Sequence, residues 1–301
     1  GNIPEAVALL PLAGLVLVFD SLREFALAMV RAREKMEYEA ALSVITNAAT
    51  VTLSFIFLAI HKTPQALLIG YATGSGFGLM LALWALRGYL KKSVTHFDAT
   101  LVRPLASQAF PLAMTAFLGG TLLTVDMLML GYFRTAAEVG LYSAVQKIIQ
   151  ITYSIAGIAG ISLFSTFSRL YATDYAKFKE LFTQSFRLMT MVSAGIAIMG
   201  VALAPQILWL VYGDAYLGGA MAFRLLAATF FLLAPTEIGI HALLAAGKQK
   251  VFFYSAPIGA ISNAALNALF IPYWGITGAA LSTLITQLAV NAYLWKKIRE
   301  L

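Results

Sequence analysis

Three ionisable side chains lie close together inside the first apolar stretch of this chain. Asp20, Arg23 and Glu24 follow at positions i, i+3 and i+4, so they share one face of a helix. A charge is costly to keep in hydrocarbon, and ionisable groups there usually face a partner or a transport pathway. The cluster therefore either neutralises itself and ties helices together, or lines the path of a transported molecule.

A second pair of ionisable residues lies in a later apolar stretch. Glu237 and His241 are four residues apart and again share a helical face. A carboxylate beside an imidazole could couple transport to protons, because histidine titrates near neutral pH. An ordinary packing or capping pair has the same spacing, so both interpretations stay open.

Three further ionisable residues lie in or near apolar stretches. Asp126 lies close to the outer end of one stretch, and Lys147 lies about two turns into the next. The short connection makes these helices antiparallel neighbours, which predicts an Asp126–Lys147 pair, either structural or in contact with substrate. Arg224 lies near the outer end of another stretch, where it could anchor the helix at the interface or contact substrate. All eight residues are candidate transport-pathway positions.

The elements that must position these residues are membrane-spanning helices. The chain is 60% hydrophobic and 12% charged, against roughly 25% charged in soluble domains, and its mean hydropathy is +0.81. Its apolar stretches have the ~20 residues that cross a bilayer as a helix. We predict an all-α polytopic membrane protein with nine spans, near 6–30, 40–60, 65–86, 106–131, 139–165, 185–204, 219–243, 252–271 and 276–295.

Basic residues in the loops predict the orientation of these spans. One alternate set of loops contains most of the 21 basic residues, among them Arg31, Arg33, Lys35, Arg87, Lys91, Lys92, Arg103, Arg169, Lys177, Lys179, Arg187, Lys248, Lys250, Lys296, Lys297 and Arg299. The opposite set holds Lys62 and Arg134. Positive loops stay in the cytoplasm, so we expect a cytoplasmic C-terminus. The net charge of +7 then faces an anionic leaflet, and no nucleic-acid partner is needed to explain it.

An internal repeat predicts how the spans are grouped. A basic loop, an Asn-Ala-Ala helix and a small-residue helix occur in the same order around Asn47 and around Asn263. Both basic loops lie on the same side of the membrane, which indicates two parallel six-helix repeats. We therefore expect 1–104 to be the last three helices of an N-terminal half and 105–301 to be a six-helix C-terminal half, with earlier helices missing before Gly1.

The residues that catalysis or metal binding would require are scarce. The chain contains no Cys, which excludes disulfides and thiol chemistry. Its three His residues are far apart, and it carries no phosphate-binding glycine loop or nucleophile elbow. We therefore expect that the protein binds no metal or cofactor and that it is not an enzyme. A membrane-embedded oligosaccharide polymerase or acyltransferase stays the alternative from another class, but it would need a larger outer loop than the longest one, near 205–217.

Several segments, in order and spacing, resemble polysaccharide flippases of the multidrug/oligosaccharidyl-lipid/polysaccharide exporter superfamily. They are Phe110–Ala113, Thr124–Asp126, Leu130–Phe133, Val139–Tyr142, Val145–Lys147, Val211–Tyr216, Ala246–Lys250 and Asn267–Ala280. The resemblance implies a protein of the inner membrane that moves a polyprenyl-pyrophosphate-linked oligosaccharide between leaflets by alternating access. It also implies the lipid bilayer as partner and leaves room for glycan polymerisation and export proteins.

The charge of the intramembrane residues bears on the choice within that superfamily. Arg23, Lys147 and Arg224 are cations, and a cation in a low-dielectric cavity attracts a pyrophosphate strongly. They therefore favour an anionic lipid-linked oligosaccharide over the cationic substrates of a multidrug antiporter, which stays the alternative within the superfamily.

Overall fold

The computed structural model describes residues 4–31, 36–95, 124–248 and 250–300, together with Thr100, Ser107 and Phe110. These residues are almost entirely helical. They fall into two compact units, one within 2–112 and one within 113–301.

The unit within 2–112 contains three long helices: α1 (Pro4–Arg31), α2 (Met36–His61) and α3 (Pro64–Thr95). α3 is the central helix, because both α1 and α2 pack mainly against it and only weakly against each other. The turn between α2 and α3 places Lys62 at a positive φ of 47°. α2 and α3 therefore form a helical hairpin with α1 on the other side of α3.

The seam between α2 and α3 is built from glycines. Gly70, Gly74 and Gly78 recur every four residues on α3 and face Ser54, Thr50 and Thr46 of α2, respectively. A methyl group added at Gly70 would lie 2.5 Å from the Cα of Ser54. Small residues at this spacing let two helix backbones approach closely in a membrane, where packing and not hydrophobicity drives association.

The described residues of the unit within 113–301 form six further α-helices and one 3₁₀ helix. They are α4 (Val125–Phe133), α5 (Ala136–Thr173), α6 (Tyr175–Ala202), α7 (Ala204–Tyr212), the 3₁₀ helix Asp214–Gly219, α8 (Ala220–Ala245) and α9 (Lys250–Ile298). α8 is the central helix and packs extensively against α5, α6 and α9.

Local signals in the sequence set where α5 and α6 begin. Thr135 and Glu138 form a capping box at the start of α5. Asp174 caps α6 by accepting a hydrogen bond from the backbone N–H of Lys177 at 3.1 Å. That hydrogen bond lowers the pKa of the Asp174 carboxyl, and the nearby Lys177 side chain lowers it further.

Four apolar clusters among the described residues hold the helices of this unit together, and two of them are the largest. The larger joins α4, α5, α7, α8 and α9 through residues such as Leu130, Tyr142 and Phe223. The other lies between α5, α6 and α8 and is centred on Phe167 and Phe178, whose rings meet edge to face at 5.6 Å. Many large apolar side chains on the outer faces of the helices are exposed, as expected for surfaces that contact lipid.

α9 is a second helical hairpin. Gly275 breaks it, with φ 54° and ψ −130°, a conformation that favours glycine. A methyl group on Gly259 would lie 3.2 Å from Val290, and one on Gly278 would contact the backbone of Phe270. Both pairs are nearly symmetric about Gly275, so the arms 250–274 and 276–298 run antiparallel, side by side.

Arg134 fastens the tip of this hairpin to the corner between α4 and α5. Its Nε donates to the carbonyl oxygen of Ile271 at 3.0 Å, and its Nη2 donates to that of Pro272 at 2.9 Å. These carbonyls belong to the last turn before the break, where helical partners are lost. The guanidinium therefore satisfies acceptors that the break leaves open.

The two helical hairpins contain the two Asn-Ala-Ala motifs of the predicted repeat. Each Asn-Ala-Ala motif lies in the first helix of an antiparallel helical pair. The grouping of the helices into two parallel repeats stays a prediction. The turns at Lys62 and Gly275 are, however, spaced about one helical turn more closely than the motifs at Asn47 and Asn263. The two arms around Gly275 also match the predicted spans 252–271 and 276–295.

Most of the predicted membrane spans coincide with helices of the structure. By length and composition, six helices among the described residues can cross a membrane: Glu37–His61, Pro64–Arg87, Ala136–Thr173, Tyr175–Ala202, Asp214–Ala245 and Pro257–Ile298. The last of these contains two predicted spans, and α1 coincides with the predicted span 6–30. The predicted span 106–131 lies largely outside the described residues. The predicted outer loop near 205–217 contains α7, which sequence reasoning missed.

Candidate functional site

A cavity of about 720 Å³ lies inside the unit within 113–301. Its lining residues lie on α4, α5, α8 and both arms of α9, and the cavity is partly open. Its lining is rich in polar side chains: Asp126, Tyr142, Gln146, Gln150, Tyr153, Thr236, Glu237, Ser255, Asn263, Thr283, Thr286, Gln287 and Asn291. Polar and ionisable side chains that face a cavity in a bundle of membrane helices commonly mark the path of a transported molecule.

Helical periodicity brings these side chains to the cavity. On α5, Tyr142, Gln146, Gln150 and Tyr153 recur at intervals of three or four residues, so they form one polar stripe. The second arm of α9 carries a similar stripe from Thr283 to Asn291. Each helix therefore turns one polar face inward and leaves its apolar faces to neighbouring helices and lipid.

Asp126 is the most buried carboxylate of the cavity, with 7% of its surface exposed. It lies in the first turn of α4, where the helix dipole favours negative charge. The Tyr142 hydroxyl donates to its Oδ2 at 3.0 Å, and the Thr283 hydroxyl lies within donating distance of the same oxygen at 3.3 Å. α4, α5 and α9 thus meet at this carboxylate.

The predicted Asp126–Lys147 ion pair is wrong, since it is not among the ion pairs of the described residues. Asp126 bonds to Tyr142, and Lys147 follows Tyr142 by five residues, about 140° further round α5. Lys147 consequently lies on another face of the helix, with its side chain exposed. Arg224 is exposed on α8 as well. Neither cation lines the cavity.

Glu237 is the second carboxylate of the cavity, and its neighbour His241 lies one turn further along α8. The imidazole Nδ1 is 2.9 Å from the backbone carbonyl oxygen of Glu237. The ring packs against Gly160 of α5, where a methyl group would lie 2.5 Å from Nδ1, and meets Phe164 edge to face. His241 is therefore held behind the cavity wall while Glu237 lines it.

Two buried polar atoms of the lining lack a hydrogen-bond partner among the described residues. They are the Thr286 hydroxyl oxygen and the Oδ1 of Asn291. The residues are only 6% and 3% exposed, whereas buried polar groups are almost always paired. The Nδ2 of Asn291, in contrast, donates to the Gln287 carbonyl oxygen at 2.7 Å.

The cluster of Asp20, Arg23 and Glu24 lies in the other unit. The guanidinium of Arg23 is 3.6 Å from Asp20 and 3.2 Å from Glu24. Ser75 of α3 donates to Asp20 at 2.5 Å, and Tyr71 lies 3.5 Å from the same carboxylate. Arg23 thus pairs with carboxylates of its own cluster, and the cluster also ties α1 to α3.

The chemistry of the cavity follows from its atoms. A buried carboxylate at this depth can take up a proton or a hard cation through its oxygens. Amides and hydroxyls can donate and accept hydrogen bonds with a polar solute. No group of three or more His, Cys, Asp or Glu side chains that could hold a metal ion occurs in the part of the chain that the structure describes.

Sequence reasoning missed most of the polar lining. Tyr142, Gln146, Thr283, Thr286, Gln287 and Asn291 were not predicted as site residues. The available signal was their spacing, because polar residues at i, i+3, i+4 and i+8 within an apolar span mark an inward face. Asn263 and Asn267 prove to bond within one helix, Nδ2 of Asn267 to Oδ1 of Asn263 at 2.8 Å.

The helical bundle and its polar cavity define a multi-pass membrane protein of the transporter type. The family of polysaccharide biosynthesis proteins matches residues 2–171, and the MatE family matches residues 111–269. The chain belongs to the polysaccharide biosynthesis protein family.

Similar proteins agree with this assignment. The chain is 24% identical to an uncharacterized membrane protein of Methanocaldococcus jannaschii over 92% of its length and 68% of the relative. It is 21% identical to a candidate O-antigen transporter of Shigella flexneri over 79% of its length and 57% of the relative. The lipid II flippase MurJ in its inward closed conformation has the same fold, with a TM-score of 0.79, 17% identity, and 97% and 62% of the two chains covered. The chain thus spans about two thirds or less of these proteins.

Proposed function

We propose that the protein carries a polyprenyl-pyrophosphate-linked oligosaccharide across the cytoplasmic membrane for polysaccharide biosynthesis. The observation that carries the proposal is a cavity of about 720 Å³ lined by many polar side chains within helices that share the fold of a lipid II flippase. The polysaccharide family model and the relation to a candidate O-antigen transporter support a glycan as cargo. The polar side chains of the lining offer a sugar hydrogen-bond partners that lipid tails lack.

The proposed orientation places the C-terminus in the cytoplasm. The basic loops before α2, after α3 and after α9 then face the anionic inner leaflet. The lipid bilayer and the lipid-linked oligosaccharide are the proposed partners. Glycan polymerisation and export proteins are further proposed partners, since a flipped oligosaccharide must be consumed on the outer side.

Asp126 and Glu237 are the proposed working carboxylates of the cavity. Their charge lies where hydrocarbon would oppose it, so it is retained for a task in transport. His241, packed beside Glu237, and the cluster around Arg23 are proposed to act in the same pathway. Lys147 and Arg224 stay predictions from the sequence, with side chains exposed on α5 and α8.

The proposal is tested by deleting the gene in its native cells. Loss of surface polysaccharide together with accumulation of lipid-linked oligosaccharide is the expected result. Asp126→Asn and Glu237→Gln, each at wild-type membrane level, should restore export at least about tenfold less well than the wild-type gene, a loss of about 1.4 kcal/mol. Glu180→Gln, the same change on the exposed face of α6, is the matched control and should restore export fully.

Other outcomes decide against the proposal. Unchanged surface polysaccharide in the deletion strain contradicts it. If the same strain also becomes sensitive to cationic dyes, the multidrug antiporter alternative is favoured. Full export by both carboxylate variants would retain the function and remove Asp126 and Glu237 from the mechanism.

A further inference from the structure

We propose that the cavity within 113–301 is the subsite for the uncharged sugars of the cargo and not for its pyrophosphate. This inference rests on the proposed function and assigns one part of the substrate to one set of side chains. It differs from the expectation drawn from the sequence, in which intramembrane cations select the substrate by charge.

The charge of the cavity excludes the pyrophosphate. Asp126 and Glu237 both line it, and none of the described lining residues is Lys or Arg. Two like charges in a medium of low dielectric constant repel each other strongly. A pyrophosphate would therefore be repelled from this cavity, whereas a neutral sugar meets no such opposition.

The unmet polar atoms point to a ligand that both donates and accepts hydrogen bonds. Asn291 Oδ1 can accept a hydrogen bond, and the Thr286 hydroxyl can both donate and accept. Leaving buried polar atoms unpaired is unfavourable. Both residues line the cavity, so a ligand gains affinity when rotation of the two side chains turns these atoms from their buried positions toward it. Sugar hydroxyls offer donors and acceptors on the same atom and suit both groups.

The remaining lining supports a sugar over a cation. Gln146 and Gln150 project from neighbouring turns of α5 and bring amide N–H donors, which a cation cannot satisfy. Tyr142 and Tyr153 flank them on the same stripe and add ring surface. The Tyr153 hydroxyl is hydrogen-bonded to Thr229, so the ring is held in place. A volume of about 720 Å³ lies within the roughly 300–1,000 Å³ of small-molecule sites.

The test is ligand-dependent thermal stability of the purified protein. The probes are maltotriose, chitotriose, mannotriose and galactotriose as neutral sugars, sodium pyrophosphate as the anion, and tetraphenylphosphonium as the cation. A ligand that binds the folded state raises Tm by mass action. We expect at least one neutral sugar to raise the Tm. Pyrophosphate and tetraphenylphosphonium should cause no rise in Tm that a substitution in the cavity lining abolishes.

Thr286→Val is the decisive variant because it removes an unpaired hydroxyl without changing the shape of the side chain. Without ligand its Tm should equal or exceed that of the wild type, which shows that it folds. Its apparent Kd for the sugar should be about tenfold higher, because one hydrogen bond to the sugar is lost. Thr286→Ser should retain sugar binding. Thr190→Val, the same atom change on α6 outside the cavity, should leave sugar binding unchanged.

Each contrary result overturns the inference. These results are the absence of stabilisation by all four sugars, sugar stabilisation that Thr286→Val leaves intact, and a pyrophosphate or tetraphenylphosphonium shift that Thr286→Val abolishes.

Different results would refute the sugar subsite and the proposed function. Sugar binding that depends on Thr286 in a protein whose deletion leaves surface glycan intact would refute the function and keep the subsite. Loss of export on deletion, with export unimpaired in Thr286→Val cells, would keep the function and refute the subsite.

Discussion

The two helical hairpins of the molecule use the same architecture for different ends. In the α2–α3 hairpin, Gly70, Gly74 and Gly78 close the seam so tightly that side chains have no room between the backbones. In the α9 hairpin the arms also touch, at Gly259 and Gly278, but the second arm turns Thr283, Thr286 and Gln287 toward a cavity.

The difference shows what a membrane hairpin needs in order to carry a site. A glycine seam uses one helix face for close packing, and the other faces of α3 then meet α1 or lipid. α9 depends on external support instead, since Arg134 holds its tip and Asp126 meets its second arm. Polar residues can therefore face inward along α9 without the hairpin losing its shape.

The largest expected effect is at the seam of the first hairpin. Gly74→Leu places a side chain where the Thr50 backbone lies, so α2 and α3 must separate. We expect the free energy of unfolding to fall by about 3 kcal/mol or more, at or above the usual cost of overpacking. Thermal unfolding in detergent and the level of protein in the membrane measure the effect.

Gly14→Leu is the control for that variant. A methyl group at Gly14 meets nothing within 4 Å, so this substitution on α1 should leave stability nearly unchanged. Equal Tm values for the two variants would show that the seam is not closely packed and would erase the contrast between the hairpins.

A smaller effect is expected where α4 and α5 support the second hairpin. Asp126→Leu leaves the fully buried Tyr142 hydroxyl without its acceptor and should cost about 2–3 kcal/mol. The Thr283 hydroxyl also loses Asp126 as an acceptor, but this costs less because it can donate to the Ala279 carbonyl oxygen at 3.1 Å instead. The double variant Asp126→Leu/Tyr142→Phe should recover about 1–2 kcal/mol in chemical denaturation.

Strict additivity of the two changes would contradict the structure, since residues in one hydrogen bond must couple. Asp126→Leu/Lys147→Leu is the matched comparison. It should recover nothing, because Lys147 points away from Asp126.

The smallest effect is expected at the tip of the second hairpin. Arg134→Met removes two hydrogen bonds to the carbonyl oxygens of Ile271 and Pro272. Because the guanidinium is only partly buried, we expect a loss of about 1–2 kcal/mol. Arg187→Met on the exposed face of α6 is the control, and both are compared by Tm.

An unchanged Tm in Arg134→Met would mean that Gly275 and the packing of the arms hold the tip alone. The second hairpin would then be as self-sufficient as the first.

The helices could be predicted from the sequence because apolar length decides them. A run of about 20 apolar residues must satisfy its backbone as a helix in lipid, and α1, α2, α3, α5, α6 and α8 lie where the hydropathy pattern placed them. α7 could not be found in this way, since Ala204–Tyr212 is too short to span and lies in a predicted loop.

The site was predicted only in part, because partners depend on rotation about helix axes. Hydropathy located Asp126 and Glu237 within their spans, and both line the cavity. It could not show that α5 turns Tyr142 and not Lys147 toward Asp126, a choice that the packing of α5 against α8 and α9 determines. Charge alone suggested an ion pair where the structure has a phenol as donor.

The central place of α8 has a consequence for biogenesis. α5 and α6 are synthesised before α8 but touch each other little, and each packs mainly against α8. α5 and α6 therefore have no helix in the bilayer against which both can pack extensively until α8 is inserted. A nascent chain that stalls before α8 exposes the polar stripe of α5 to lipid and to quality-control proteases, whereas insertion of α8 lets α5 and α6 pack.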